Sequence, residues 1–322
     1  MVAGMLVLTG IGTMPLRAAL IDVELANLPV TDALNLVARQ AGLELQVDEE
    51  LEKPGMRPDK LPWAPPGIQL KLKQVSADQV LESMAGAYGL VLDKSPGISL
   101  LKLRFARSGE LVFKREVRLL PDPEKDQRKV GLLFFDEAPL LQVLQTLALQ
   151  SRLNLVPSHE LMVGTNAQGV AWQEVFITLK IRNVTPQQAL EAALDASGLV
   201  VDWSALGQVG VIYPAQRFMT TSRRASVKPP VKEEKTDFAL AELALEDFVQ
   251  LLSSQMELNL MVSTAAQQAT TGADKQPLLQ SPVSINRMGI TPLAAFQEVL
   301  KSKGLEFRWN ARAGVGIVDM VR

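Results

Sequence analysis

The sequence predicts an α+β chain: three tandem small β-α-β-β-α-β domains. Three observations carry this expectation. Apolar positions recur at a long interval: Val23, Leu25, Val30 and Leu34 match Leu133, Phe135, Leu140 and Leu144, and then Phe238, Leu240, Leu245 and Val249. Within each repeat the apolar spacing switches between period two and helical period, the marks of strand and helix. Residues 76–81, 185–190 and 291–296 align as a second block that opens with a helix-capping residue. The interval is too long for a solenoid turn and long enough for a small domain.

In the first repeat, Ile21, Val23 and Leu25 alternate as a strand. Val30, Leu34 and Val37 then share one helical face, and Gly42 ends that helix. Leu43, Leu45 and Val47 alternate as the next strand, and a Pro/Gly-rich loop over residues 52–67 leads into Ile68, Leu70 and Leu72. The second helix has the clearest local signals. Ser76, Thr185 and Thr291 are N-cap residues, because a side-chain oxygen can accept a free backbone N–H there. Pro186 and Pro292 follow at the first helical position, where no N–H is needed. Gln79 and Gln188 complete capping boxes. Gly89, Gly198 and Gly304 stand just past the helix end, where a left-handed residue is wanted. Closing strands follow at residues 98–103, 209–213 and 315–318.

The boundaries expected are 20–104, 131–214 and 237–322 for the domains, with linkers at 105–130 and 215–236. The first linker contains an extra strand signal over residues 110–119 and a charged, Pro-rich run over 121–126. The second is rich in Pro, Ser, Thr and charge and reads as a mobile connection. The loops over residues 52–67, 162–174 and 265–282 differ in sequence among the repeats, so repeat-specific contacts are expected there. Residues 1–19 are expected to be an export signal or a disordered N-terminus. Their apolar core, residues 5–14, is too short to span a bilayer and suits a signal peptide. No Lys or Arg precedes it, and no small-x-small cleavage pattern leads up to Ala19.

Composition excludes several chemistries. The chain has no cysteine, which removes disulfides, thiolate nucleophiles and Cys-based metal sites. Its one histidine, His159, leaves little room for zinc ligation or a His-based triad. A net charge of −2 offers no basic field for nucleic acid.

The remaining candidates read as structural. Asp48-Glu49-Glu50 and Asp136-Glu137 could in principle work as acid/base pairs or hold a divalent cation. The repeats do not share them, and they stand at strand ends, so they read as solvated surface. His159 reads as a surface histidine. Residues 164–169 are Gly-containing but lack the Lys-Ser/Thr of a phosphate loop, and read as a flexible loop. Arg217, Arg223, Arg224 and Lys228 could meet anionic lipid or nucleic acid, but their setting reads as a solvated linker. Trp63 and Trp172 lie in the variable loops. They read as parts of loops folded back on their own domain; the partner-binding residues stay unassigned, with Trp63 and Trp172 as candidates because an exposed aromatic can anchor a partner. No catalytic residue, metal ligand or cofactor is expected.

The stretches 27–34, 41–47, 72–81 and 87–90 resemble the secretin/TonB short N-terminal domain family, which includes the N-domains of bacterial secretins. Residues 179–190 and 196–199 carry the closest likeness, and residues 290–293 and 303–305 carry it into the third repeat. The motifs encode caps and core spacing, not chemistry. The resemblance implies periplasmic α+β modules that dock on neighbours or partner proteins, with no catalytic residues to carry over. The sequence lacks the strand-rich region of a secretin pore and a TonB-dependent barrel, so it is expected to be neither pore nor transporter.

The expectation is therefore a non-enzymatic, periplasmic interaction module. It would serve as a ring or adaptor element of a secretin, type II secretion or type IV pilus-like machine at the outer membrane, with an envelope protein as partner and self-association open. The alternative is a signalling module contacting an anti-sigma-like regulator in TonB-linked sensing. These domains share a KH-like layout, but nucleic-acid binding needs a Gly-x-x-Gly clamp and a basic groove. The chain has neither.

Overall fold

The computed structural model describes residues 20–58, 62–94, 99–107, 120, 128–203, 209–215, 229–231, 234–271 and 275–321. The fold is mixed α+β, with its strands in several small sheets. The first repeat runs β1 (Leu20–Pro29), α1 (Val30–Gln40), β2 (Glu44–Val47), α2 (Glu49–Glu52), β3 (Gly55–Met56), β4 (Pro62–Trp63), β5 (Gly67–Ser76), α3 (Ala77–Ala87), β6 (Leu90–Lys94) and β7 (Leu100–Phe105). β1 and β5 form an antiparallel ribbon, and β2, β7 and β6 form a sheet in that order, with β2 parallel to β7.

The second repeat runs β8 (Val130–Pro139), α4 (Leu140–Gln150), β9 (Asn154–Pro157), α5 (His159–Val163), a 3-10 turn at Trp172–Glu174, β10 (Phe176–Val184), α6 (Pro186–Ala196), β11 (Leu199–Trp203) and β12 (Val209–Pro214). The third runs β13 (Thr236–Ala244), α7 (Leu245–Gln255), β14 (Leu260–Val262), α8 (Thr264–Gln268), β15 (Thr270–Thr271), β16 (Gln276–Pro277), β17 (Pro282–Ile290), α9 (Pro292–Ser302), β18 (Leu305–Asn310) and β19 (Val315–Met320). Ribbons β8–β10 and β13–β17 and the sheets β11-β12-β9 and β14-β19-β18 repeat the pairings of the first.

Local chemistry explains these elements. The Ser76 and Thr185 hydroxyls accept the N–H of Gln79 and Gln188, whose side chains reach back to the cap N–H, so both capping boxes close. The Thr291 hydroxyl accepts the N–H of Ala294 and caps α9 without the reciprocal bond, since the Ala294 methyl has no acceptor to return it. Each helix then ends at a left-handed glycine, Gly89, Gly198 or Gly304. The ribbons kink at matched positions: Gln74, Asn183 and Gly289 have φ of 51°, 53° and 62°. The inner ribbon faces carry Val23 and Leu25 with Leu70 and Leu72 in the first repeat, all buried.

The sequence reading misses a strand after the second helix and a short helix in every repeat, and the two-residue pairs β3–β4 and β15–β16 in the first and third. β6, β11 and β18 follow directly on the helix-ending glycine; β6 and β11 lack a clean alternation, whereas β18 alternates Leu305, Phe307 and Trp309 with polar residues and was legible. α2, α5 and α8 are single turns, below the length at which periodicity can be read. The extra strand signal at 110–119 and the run at 121–126 lie outside the described residues, as do residues 1–19 and the basic residues Arg217, Arg223, Arg224 and Lys228.

The apolar cores cross the boundaries between repeats. Val156, Val209, Val211 and Tyr213 of the second repeat belong to the core of the first. Met261, Ala313, Val315 and Ile317 of the third belong to the core of the second. The three-stranded sheet of each following repeat is laid on α3 or α6 of the one before. Each aliphatic side chain so buried contributes about 1.5–3 kcal/mol. Helix α6 is therefore covered on both sides, with Ala189 and Leu190 on one face and Ala192 and Ala196 on the next.

Candidate interaction surface

The stacking relocates several residues singled out in the sequence. Trp63 is 2% exposed, and its ring N–H donates to the Leu51 carbonyl at 3.0 Å. Trp172 is 5% exposed and packs in the core of the second repeat. Neither ring is offered to a partner on this surface, because the loops that carry them fold back. β3 pairs with β4 at Gly55 and Trp63, and Thr165 bridges to Ala171. His159 is not a surface histidine: it is 2% exposed, stacked on Trp63 and edge-on to Tyr88. Burial pushes the Tyr88 hydroxyl pKa well up.

Residues 164–169 are not a loose loop. The Asn166 side-chain oxygen accepts from the N–H groups of Gln168 and Val170, each at 3.0 Å, and its amide donates to Gln268 of the third repeat at 2.7 Å. Asp48 pairs with Lys102 at 3.3 Å, while Glu49, Glu50, Asp136 and Glu137 are exposed. Among the described residues no three His, Cys, Asp or Glu side chains gather as metal ligands would.

Both junctions between repeats use an asparagine in the same way. Asn154, at the start of β9, accepts from the Lys73 N–H at 2.8 Å and donates to the Lys73 carbonyl at 3.0 Å. Asn259, before β14, does the same to Arg182 at 2.7 and 2.8 Å. A side-chain amide has one acceptor and one donor edge, so it completes an exposed strand edge as another backbone would. The junctions differ otherwise. The first is aromatic, with Trp63, Phe105, Tyr88 and His159. The second is ionic. Arg308 reaches Asp195 at 3.3 Å and Asp319 at 3.1 Å, Asn310 donates to Asp195 at 2.9 Å, and Arg312 meets Glu191 at 2.9 Å. Burial works against the Arg308 charge, but Asp195 and Asp319 outweigh it and hold its pKa above the ordinary arginine value.

One outward face is unlike its counterparts. On the first ribbon Glu24 stands opposite Lys71, and the two pair at 3.1 Å. The third ribbon has Ala239 opposite Asn286. The second has Phe134 opposite Lys180, with Leu132 and Phe176 nearby on the same strands. Phe134 is 55% exposed and Phe176 51%. Both line a groove of about 1440 Å³ between this ribbon and α7 of the third repeat. Lys180 and Arg182 lie on one wall; Glu246, Gln250 and Glu257 lie on the other. In the first junction α4 closes against β5 instead. Exposed apolar side chains gathered on one face can serve as an interaction site. The signal was in the sequence: Leu132 and Phe134 occupy outward positions where the first repeat has Asp22 and Glu24. Comparing inward positions alone does not find it.

No protein-family model, curated protein or solved structure matches the chain.

Proposed function

We propose that this chain is a non-enzymatic protein–protein interaction module of three tandem secretin/TonB-type N-domains. In this reading it is a periplasmic ring or adaptor element of a trans-envelope secretion or pilus machine. The observation that carries the interaction role is the exposed Phe134 and Phe176 above the groove of the second junction. Two exposed phenylalanines on one ribbon, among the charged side chains of Asp136, Lys180 and Arg182, suit another polypeptide that covers the rings and pairs with the charges. The recurring caps, bulges and strand pairings support the tandem-domain reading.

The test is site-specific photo-crosslinking in intact cells, with the crosslinker at Phe134 and a control at exposed Glu82. The expected result is an envelope secretion or pilus protein captured at Phe134 and not at Glu82. Capture of an anti-sigma-like membrane protein would move the assignment to TonB-linked signalling. Capture of cytoplasmic proteins or nucleic acid alone would overturn both location and role.

A further inference from the structure

The two outward ends of the stack differ from its internal faces at matched positions. Inside, a following sheet lays apolar residues on the repeat before it: Val156 and Val211 in the first junction, Met261 and Ile317 in the second. The corresponding positions of the first repeat's own sheet are Gln46 and Lys102, both exposed, with Lys102 paired to Asp48. The receiving side changes too. Leu72 and Ile181 are fully buried, beside small residues at Ser83 and Ala192. The third repeat has Arg287 and Glu298 at those two positions, joined at 2.6 Å and exposed. The asparagine clamp is altered at both ends. Glu44 stands where Asn154 and Asn259 stand, and Met288, where Lys73 and Arg182 are clamped, is 83% exposed.

We propose that Glu44, Gln46 and Lys102 at one end, and the Arg287–Glu298 pair at the other, are specificity residues that keep this chain from stacking head-to-tail on a second copy. A head-to-tail contact between like faces does not close on itself and propagates into fibres, so repeat arrays need polar ends. Stacking two copies would set Gln46 and Lys102 against the Arg287–Glu298 pair and strip water from all of these groups, and ion pairing in a buried contact seldom repays that desolvation. The Glu44 carboxylate can accept from the Met288 N–H but has no hydrogen for the Met288 carbonyl, whose lone pairs repel it. The internal junctions avoid both costs.

The test converts each end to the internal pattern in the full chain. Glu44→Asn with Gln46→Val and Lys102→Val makes a docking end. Arg287→Ile with Glu298→Ala makes a receiving end. Sedimentation velocity across a concentration series reads the mass. Mixing the two half-variants should give a 1:1 complex of roughly doubled mass that neither forms alone. A chain carrying all five changes should grow into concentration-dependent oligomers absent from the wild type. Circular dichroism checks folding; where the fivefold variant does not fold, the mixed half-variants give the same reading. Folded half-variants that sediment as independent monomers when mixed overturn the proposal. So does wild-type chain that already forms a head-to-tail oligomer.

Discussion

Trp63 of the first repeat and His159 of the second stack face to face, with ring centroids 5.4 Å apart and planes 14° from parallel. The contact joins the segment before β5 to the first turn of α5, so one aromatic cluster serves both repeats. Trp63→Ala should cost about 3–5 kcal/mol, as large-to-small changes in a packed core do. A double-mutant cycle of Trp63→Ala and His159→Ala should return a coupling of about 0.5–1.5 kcal/mol in urea melts. A coupling of zero would mean the two rings do not meet in solution.

The asparagine clamps should show in hydrogen exchange. Asn154→Ala should expose the Lys73 amide to fast exchange and cost roughly 1–3 kcal/mol, because it removes both bonds of a buried side chain. Asn259→Ala should act on the Arg182 amide with a smaller loss, since Asn259 is only half-buried. Unchanged protection at both amides would remove the clamp from the account of the junctions.

Position 192 separates a covered helix from an uncovered one. Ala192 lies under the third repeat and is fully buried, whereas its counterpart Glu298 is exposed. Ala192→Glu should therefore destabilise by about 3–5 kcal/mol, the cost of an uncompensated buried charge. Leu194→Ala and Leu300→Ala should each cost roughly 2–5 kcal/mol, since both side chains are buried. Thermal melts in which Ala192→Glu is neutral would show that the third repeat does not rest on α6.

Arg308→Met leaves Asp195 and Asp319 facing each other without their shared cation. The expected loss is about 2–3 kcal/mol, below the full buried-pair value because Arg308 is partly exposed. Arg287→Met, by contrast, should change stability little, since Arg287 and Glu298 are both in solvent. Equal losses for the two would contradict the burial difference between them.

Phe134→Ser should leave the melt within about 0.5 kcal/mol of wild type, as surface changes do, while lowering partner capture in cells. Trp172→Ala should do the reverse: a large stability loss, with capture by the remaining folded chain unchanged. Reduced capture by folded Trp172→Ala and full capture by Phe134→Ser would return the tryptophan to the role first suggested by its loop.

The α+β class, the second-helix starts at Ser76, Thr185 and Thr291, and the glycine stops were legible from residues a few positions apart. Caps and periodicity work over one turn of chain, so they survive in the sequence without knowledge of neighbours. His159, read as a surface residue and found buried, was misplaced for the opposite reason. Polarity and loop position say how a side chain meets water, and here a distant segment had taken the water's place. The same holds for α6 and α9, which carry nearly the same caps and inner stripe, yet only α6 is covered on its second face. Burial of that second face, the asparagine clamps and the open groove beside Phe134 all depend on segments far apart in sequence. Their energies come from desolvation between whole sheets and helices, which the packed fold sets and local sequence rules do not reach.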